Sequence, residues 1–156
     1  MEVILEMLHN INKIKSELDT LPDYDNQIYL QGFYAGQNPT ELTEGQTYKY
    51  VDENELACSV PLFDLPVINS IIDHYDLVRT RVMKMKPKSC YYWQKDVTKR
   101  LHIPVVTHEH CFLIVDGEQI HLPATGDDYI IDTTKMHTAM NCSKIDRIHI
   151  VGAFRV

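Results

Sequence analysis

The sequence predicts a mainly β fold, an antiparallel jelly roll backed by helices, and three observations predict it. From Leu77 to Val156, seven or eight short stretches carry apolar residues at every second position or are rich in β-branched and aromatic residues. Turn residues such as Pro87, Asp116-Gly117 and Gly126 separate them, with no helical period in between. The two helical patterns both lie earlier, before Asp76. Helices first and strands afterwards point to a segregated arrangement rather than a parallel α/β sheet. The chain of 156 residues is read as one domain, with residues 1–76 supplying helices and a polar region and residues 77–156 the jelly-roll core.

Val3, Ile4, Met7, Leu8, Ile11, Ile14 and Leu18 recur at three- and four-residue steps, which predicts a first helix over residues 2–19, stopped by Leu21-Pro22. Its apolar stripe suits either the outer face of a sheet or a second copy in a homodimer. Residues 23–50 are polar and punctuated by Gly32, Gly36, Pro39 and Gly45, with β-like pieces at Gln27–Leu30 and Thr47–Tyr50. This region reads as an edge strand, a flap over a ligand or a plain surface excursion. A proline near the first turn opens a second helix from about Leu65 to Tyr75. Strands follow at Leu77–Met85, Ser89–Gln94, Lys99–Val106, Cys111–Val115, Glu118–Leu122, Tyr129–Asp132 and within 145–156. The Asp116-Gly117 pair is a hairpin signal.

Composition narrows the function. A formal charge of −7 without a basic cluster argues against nucleic acid or acidic lipid as partner. No apolar run approaches bilayer length, and the start, with Glu2 and Glu6, lacks the basic region of a secretory signal, so a cytoplasmic protein is expected. Four scattered cysteines without a CxxC pair suggest reduced thiols.

The polar residues inside the strands carry the chemistry. Period-2 geometry puts Arg100 and His102 on one face of their strand, opposite Leu101, Ile103 and Val105, and puts Arg147 and His149 opposite Ile148 and Ile150. Such faces line either a barrel interior or solvent. Six of the eight histidines fall between positions 102 and 149, a density that points to metal or anion chemistry. A ligand pair two residues apart, closed by a distant histidine, is present as Gln94-Lys95-Asp96 with His137, although Gln94 is a weak neutral donor. His108 and His110 have the His-x-His spacing of a cupin-type metal site, which is the alternative, against a solvated loop. Trp93 is expected in the core or the pocket wall.

The segments Trp93-Gln94-Lys95-Asp96, Arg100-Leu101-His102-Ile103-Pro104, Thr133 to Asn141 and Asp146 to Val151 together resemble the aspartyl/asparaginyl β-hydroxylase-like branch of the Fe(II)- and 2-oxoglutarate-dependent oxygenases, which includes cis-proline hydroxylases. The resemblance covers roughly residues 80–155. It implies a double-stranded β-helix, a cupin-like jelly roll, and hydroxylation of an amino acid, a peptide side chain or a small metabolite. It further implies that His137 is the distal iron ligand and Asp96 the carboxylate ligand. Arg147 would pair with the distal carboxylate of 2-oxoglutarate, and Arg100 and His102 would help hold the cosubstrate or the substrate. Gln94 departs from the pattern, standing where members usually carry the proximal histidine. A non-catalytic domain of the same fold, retaining a pocket for a small carboxylate, is the alternative.

Overall fold

The structure, a computed structural model, describes residues 4–40 and 55–156. Its strands are β1 (Ile4–Leu8), β2 (Gln27–Tyr29), β3 (Gln31–Gly32), β4 (Val60–Pro61), β5 (Val78–Met85) and β6 (Ser89–Cys90). After these come β7 (Arg100–Val106), β8 (Cys111–Val115), β9 (Glu118–Ile120), β10 (Asp127–Ile131), β11 (His137–Asn141) and β12 (Arg147–Ala153). Two helices, α1 (Ile11–Leu18) and α2 (Pro66–Tyr75), and a 3₁₀ turn at Glu55–Ala57 complete the described chain.

β5 to β12 fold into two facing antiparallel sheets, and their order is that of a jelly roll. A major sheet runs β1-β10-β7-β12-β5-β2, and a minor sheet runs β6-β11-β8-β9. β1 and β2, from the N-terminal part, lengthen the major sheet at either edge; β3 and β4 form a separate ribbon. The type of turn at Asp116-Gly117 follows from its residues. Both have positive φ, +51° and +82°, which only Gly and a few short polar residues adopt cheaply.

Both faces of the major sheet are covered. Ile14 of α1 and Ile68, Ile71 and Ile72 of α2 pack on the outward Leu101, Ile103, Val82 and Ile150, which form the main hydrophobic core. The opposite face, with Arg100, His102, Arg147 and His149, is therefore turned into the barrel, and all four are buried. Among the alternatives for these faces, the lumen is the one realised. The lumen itself is divided, since Met85, Leu113, Val115, Leu122, Ile131 and Ala139 fill its apolar part.

Several elements differ from expectation. Residues 2–19 are not one helix: β1 pairs with β10, Ile4 opposite Ile130 and Leu5 opposite Tyr129, and α1 starts only after Asn10. The Asn10 side chain accepts from Lys13 N as an N-cap, while the open edge of β10 offers the preceding residues a ladder that a lone helix cannot match. The apolar spacing was continuous across Asn10 and concealed the break. The stripe of α1 packs within the chain. β11 was not anticipated as a strand, and Thr47–Tyr50 lies outside the described residues. Trp93 is 56% exposed and belongs to neither core nor pocket wall. All four cysteines are free; Cys90 and Cys111 flank β11 on opposite sides, facing Met140 and Asn141.

Candidate active site

A cavity of about 200 Å³ opens between the two sheets. It is smaller than the ~300–1,000 Å³ of sites for drug-sized ligands, a size suited to a small acid or a single side chain. Gln94, Asp96, Arg100, His102, His137 and Arg147 all line it. The residues singled out in the sequence thus converge in one place.

Backbone pairing positions the first group. Gln94 and His137 exchange both main-chain hydrogen bonds, N to O at 3.0 Å in each direction, as an isolated bridge that continues the minor sheet past β6. Asp96 N then donates to Thr133 O at 2.8 Å, which holds the next turn against the same wall. His137 Nδ1 lies 2.9 Å from the carbonyl of Lys135. A carbonyl only accepts, so Nδ1 carries the proton and Nε2 presents a lone pair. That lone pair faces Asp96 Oδ2 at 3.5 Å. Two acceptors opposed across this gap are relieved by a shared proton or a cation, and two ligands ~2.1 Å from one ion would stand ~3.0–3.4 Å apart. A divalent metal therefore fits between Asp96 and His137, and the Lys135 carbonyl fixes the ring as the partner of a metal-bound histidine commonly does. Gln94 can add only a neutral oxygen.

The major sheet supplies the cations. Arg147 is 3% exposed, lines the cavity and makes no hydrogen bond or ion pair to any described residue, its Nε being buried without a partner. Burial alone pulls its guanidinium below the ordinary value, and a charge kept in such a place wants an anion. Arg100 is differently placed. Its Nη2 meets Glu55 Oε1 at 2.9 Å and its Nε meets Asp96 Oδ2 at 3.4 Å, so its charge is already matched. Glu55 also pairs with Arg79, Nη1 to Oε1 at 3.5 Å.

His102 and His149 touch through their Nδ1 atoms, 3.1 Å apart. Burial, followed by the nearby Arg147, pushes His102 down to about 3 and His149 well below its ordinary value, so both rings are neutral at physiological pH. One Nδ1 must donate and the other accept. His149 Nε2 is buried without a partner, and an orphaned acceptor is less costly than an orphaned donor. The His149 proton therefore sits on Nδ1, leaving His102, whose ring lines the cavity, with its proton on Nε2. His102 offers a ligand a neutral donor.

His108 and His110 do not join this site. With Glu109 they cluster within 4.8 Å on the turn between β7 and β8, two of the three exposed and none lining the cavity. His121 stands just past β9 and outside the cavity, its Nδ1 2.8 Å from Cys111 O. Sequence reasoning missed Glu55, Arg79 and Arg81. Alternation along Leu77–Met85 puts the two arginines on one face with Met83, yet nothing in the sequence marks that face as the one turned inward. No described helix is long and apolar enough to cross a membrane.

No curated protein matches the chain. Among solved structures, a cupin domain from Bordetella pertussis is similar over 51% of this chain and 83% of its own, at 14% identity and a TM-score of 0.45. The family model described as aspartyl/asparaginyl beta-hydroxylase matches residues 9–155, spanning both helices, every strand except β1 and every residue of the cavity. This chain belongs to the aspartyl/asparaginyl β-hydroxylase family.

Proposed function

We propose that the protein is an Fe(II)- and 2-oxoglutarate-dependent hydroxylase acting on an amino acid, a peptide side chain or a small metabolite. Asp96 and His137 would hold the metal, and Arg147 would anchor the cosubstrate. The observation that carries this reading is the buried, unpartnered Arg147, held in the same small cavity as a carboxylate and an imidazole that face each other. A guanidinium fork is the natural partner of a planar carboxylate. When bound, iron would supply the oxygen chemistry.

The chain's own part is binding and shielding. Arg147 fixes one end of a dicarboxylate, and His102 Nε2 donates to an oxygen along its length. The Glu55–Arg100–Asp96 chain of contacts orients the Asp96 carboxylate towards His137. The cavity's place between the two sheets would limit the access of bulk water to the reacting centre.

Anaerobic titration of Fe(II) with and without 2-oxoglutarate tests the proposal through the visible charge-transfer band of the chelate. A band that needs both components and vanishes in His137→Ala supports it. A second reading is favoured by Gln94 alone, a neutral donor where a histidine is usual: a carboxylate-binding domain without iron chemistry. That reading expects 2-oxoglutarate to raise the melting temperature through Arg147 under strict chelation, with no band at any iron concentration.

A further inference from the structure

Two separate groups of cations line the cavity, and one dicarboxylate can satisfy only one of them. On β12, Arg147 stands opposite Met85 of β5, and Val151 stands opposite Arg81. Arg81 and Met85 are four residues apart, so the Arg81 and Arg147 levels of the barrel are separated by ~13 Å along the strands. Arg147 stands at one level, and Arg81 at the other, level with His102 across β12 and in the same part of the cavity as Arg79, Arg100 and Asp96.

Arg81 is 6% exposed, lines the cavity and has no ion pair among the described residues. Its neighbours on β2 are neutral. Nη1 donates to Gln27 Oε1 at 3.1 Å, the guanidinium lies 5.7 Å from the Tyr29 ring, and Nε is buried without a partner. Beside it, Arg79 has φ +49°, a conformation costing an L-residue ~1–2 kcal/mol. Here the β5–β12 register slips between Val151 and Ala153, so that Arg79 N bonds to Cys58 O at 2.7 Å instead of to β12. A strained irregularity next to a site commonly re-aims a side chain. Five cations line the cavity, against two carboxylates, Asp96 in its wall and Glu55 behind Arg79 and Arg100. A divalent metal and a dicarboxylate cancel each other and leave that excess untouched.

Resting on the function proposed above, we infer that Arg81, supported by Arg79, recognises an anionic group on the prime substrate, which is therefore a small acid and not a neutral or cationic molecule. The excess of charge selects the anion, and the free edge of the Arg81 guanidinium orients it near the metal ligands. Arg81 is a substrate-recognition residue distinct from the cosubstrate anchor.

The test uses butanoate, butyl phosphate and the neutral butyramide as probes, added to the full chain saturated anaerobically with Fe(II) and 2-oxoglutarate, and read by calorimetry. Either anion should bind at least ~10-fold more tightly than butyramide, as expected of a hydrogen-bonded charge. Arg81→Gln should erase that preference while keeping the 2-oxoglutarate response; Arg81→Lys should retain part of it. The ratio between the two anions tells a carboxylate substrate from a phosphorylated one. Equal binding of anions and amide to the wild type, or a preference unchanged in Arg81→Gln, overturns the inference. The same probes on metal-free Arg147→Gln separate the two proposals. Loss of the 2-oxoglutarate response in the wild type refutes the hydroxylase reading, whereas an anion preference that survives in Arg147→Gln and depends on Arg81 stands without it.

Discussion

Gln94→His should convert a two-donor metal site into a three-donor one. Gln94 and His137 are a hydrogen-bonded pair across the ladder, and paired residues on one face have Cβ atoms ~5.5 Å apart. Imidazoles at both positions can therefore reach one ion together with Asp96. Structural zinc sites with four ligands bind at ~10–16 kcal/mol, or ~2.5–4 kcal/mol per ligand. Fe(II) binds nitrogen donors less strongly than zinc, and a histidine replacing an amide oxygen gains less than a full ligand. About 2–3 kcal/mol is a reasonable expectation, or ~30- to 150-fold in Fe(II) affinity. Anaerobic competition against a chromogenic chelator measures it, with circular dichroism to establish that the variant is folded. A folded Gln94→His protein whose Fe(II) affinity changes less than threefold, by about 0.6 kcal/mol or less, would refute the placement of the metal between residues 96 and 137.

Arg147→Met should stabilise the ligand-free protein by about 1–4 kcal/mol in urea unfolding, because it removes an unpaired buried charge, and should abolish the shift on adding 2-oxoglutarate. A less stable variant would mean that Arg147 has a partner within the fold. Glu55→Gln leaves Arg79 and Arg100 without their shared carboxylate and should cost about 3–5 kcal/mol; a loss below about 1 kcal/mol would show the triad to be solvated. The folded-state values of His102 and His149 lie below that of an unfolded histidine, so the unfolded chain binds more protons at acid pH. Stability should be full above about pH 6.5 and fall by about 1.4 kcal/mol per pH unit for each ring as the pH drops towards 5. Nitrogen NMR shifts of both rings should stay those of neutral imidazole over that range, and titration near pH 6 would contradict their burial.

Period-2 alternation made the strands legible and grouped the polar residues of β7 and β12 on one face each, but it left that face open between lumen and solvent; the helices that cover the other side of the major sheet decide for the lumen. Arg147 was legible as chemistry because a charged group among apolar strand residues has few structural uses, whereas Asp96 and His137 were reached through the spacing of a ligand pair with a distant histidine and through the family resemblance. Residues 4–8 were not, since an apolar run supports helix or strand, and the choice was made by the free edge of β10 far along the chain. β11 was hidden because its residues, Thr138 and Ala139 among them, are covered on both faces and show no alternation. Glu55 lies in a polar stretch, and only the fold carries it to Arg100, which sequence reasoning had left free for a ligand.

The candidate metal ligands and the candidate anchors belong to different leaves of the barrel. His137 starts a minor-sheet strand, whereas Arg147, His102 and Arg81 stand on the six-stranded sheet that two helices brace from outside. The minor leaf is thin at its margins, with an edge strand of two residues on one side and three on the other. A molecule that grips both leaves works as a cross-tie, so its arrival should be felt most at those margins. Hydrogen exchange at Ser89–Cys90 and Glu118–Ile120 should slow on loading while the braced sheet hardly changes, and the order in which the two grips form would set how firmly the barrel closes around its cargo.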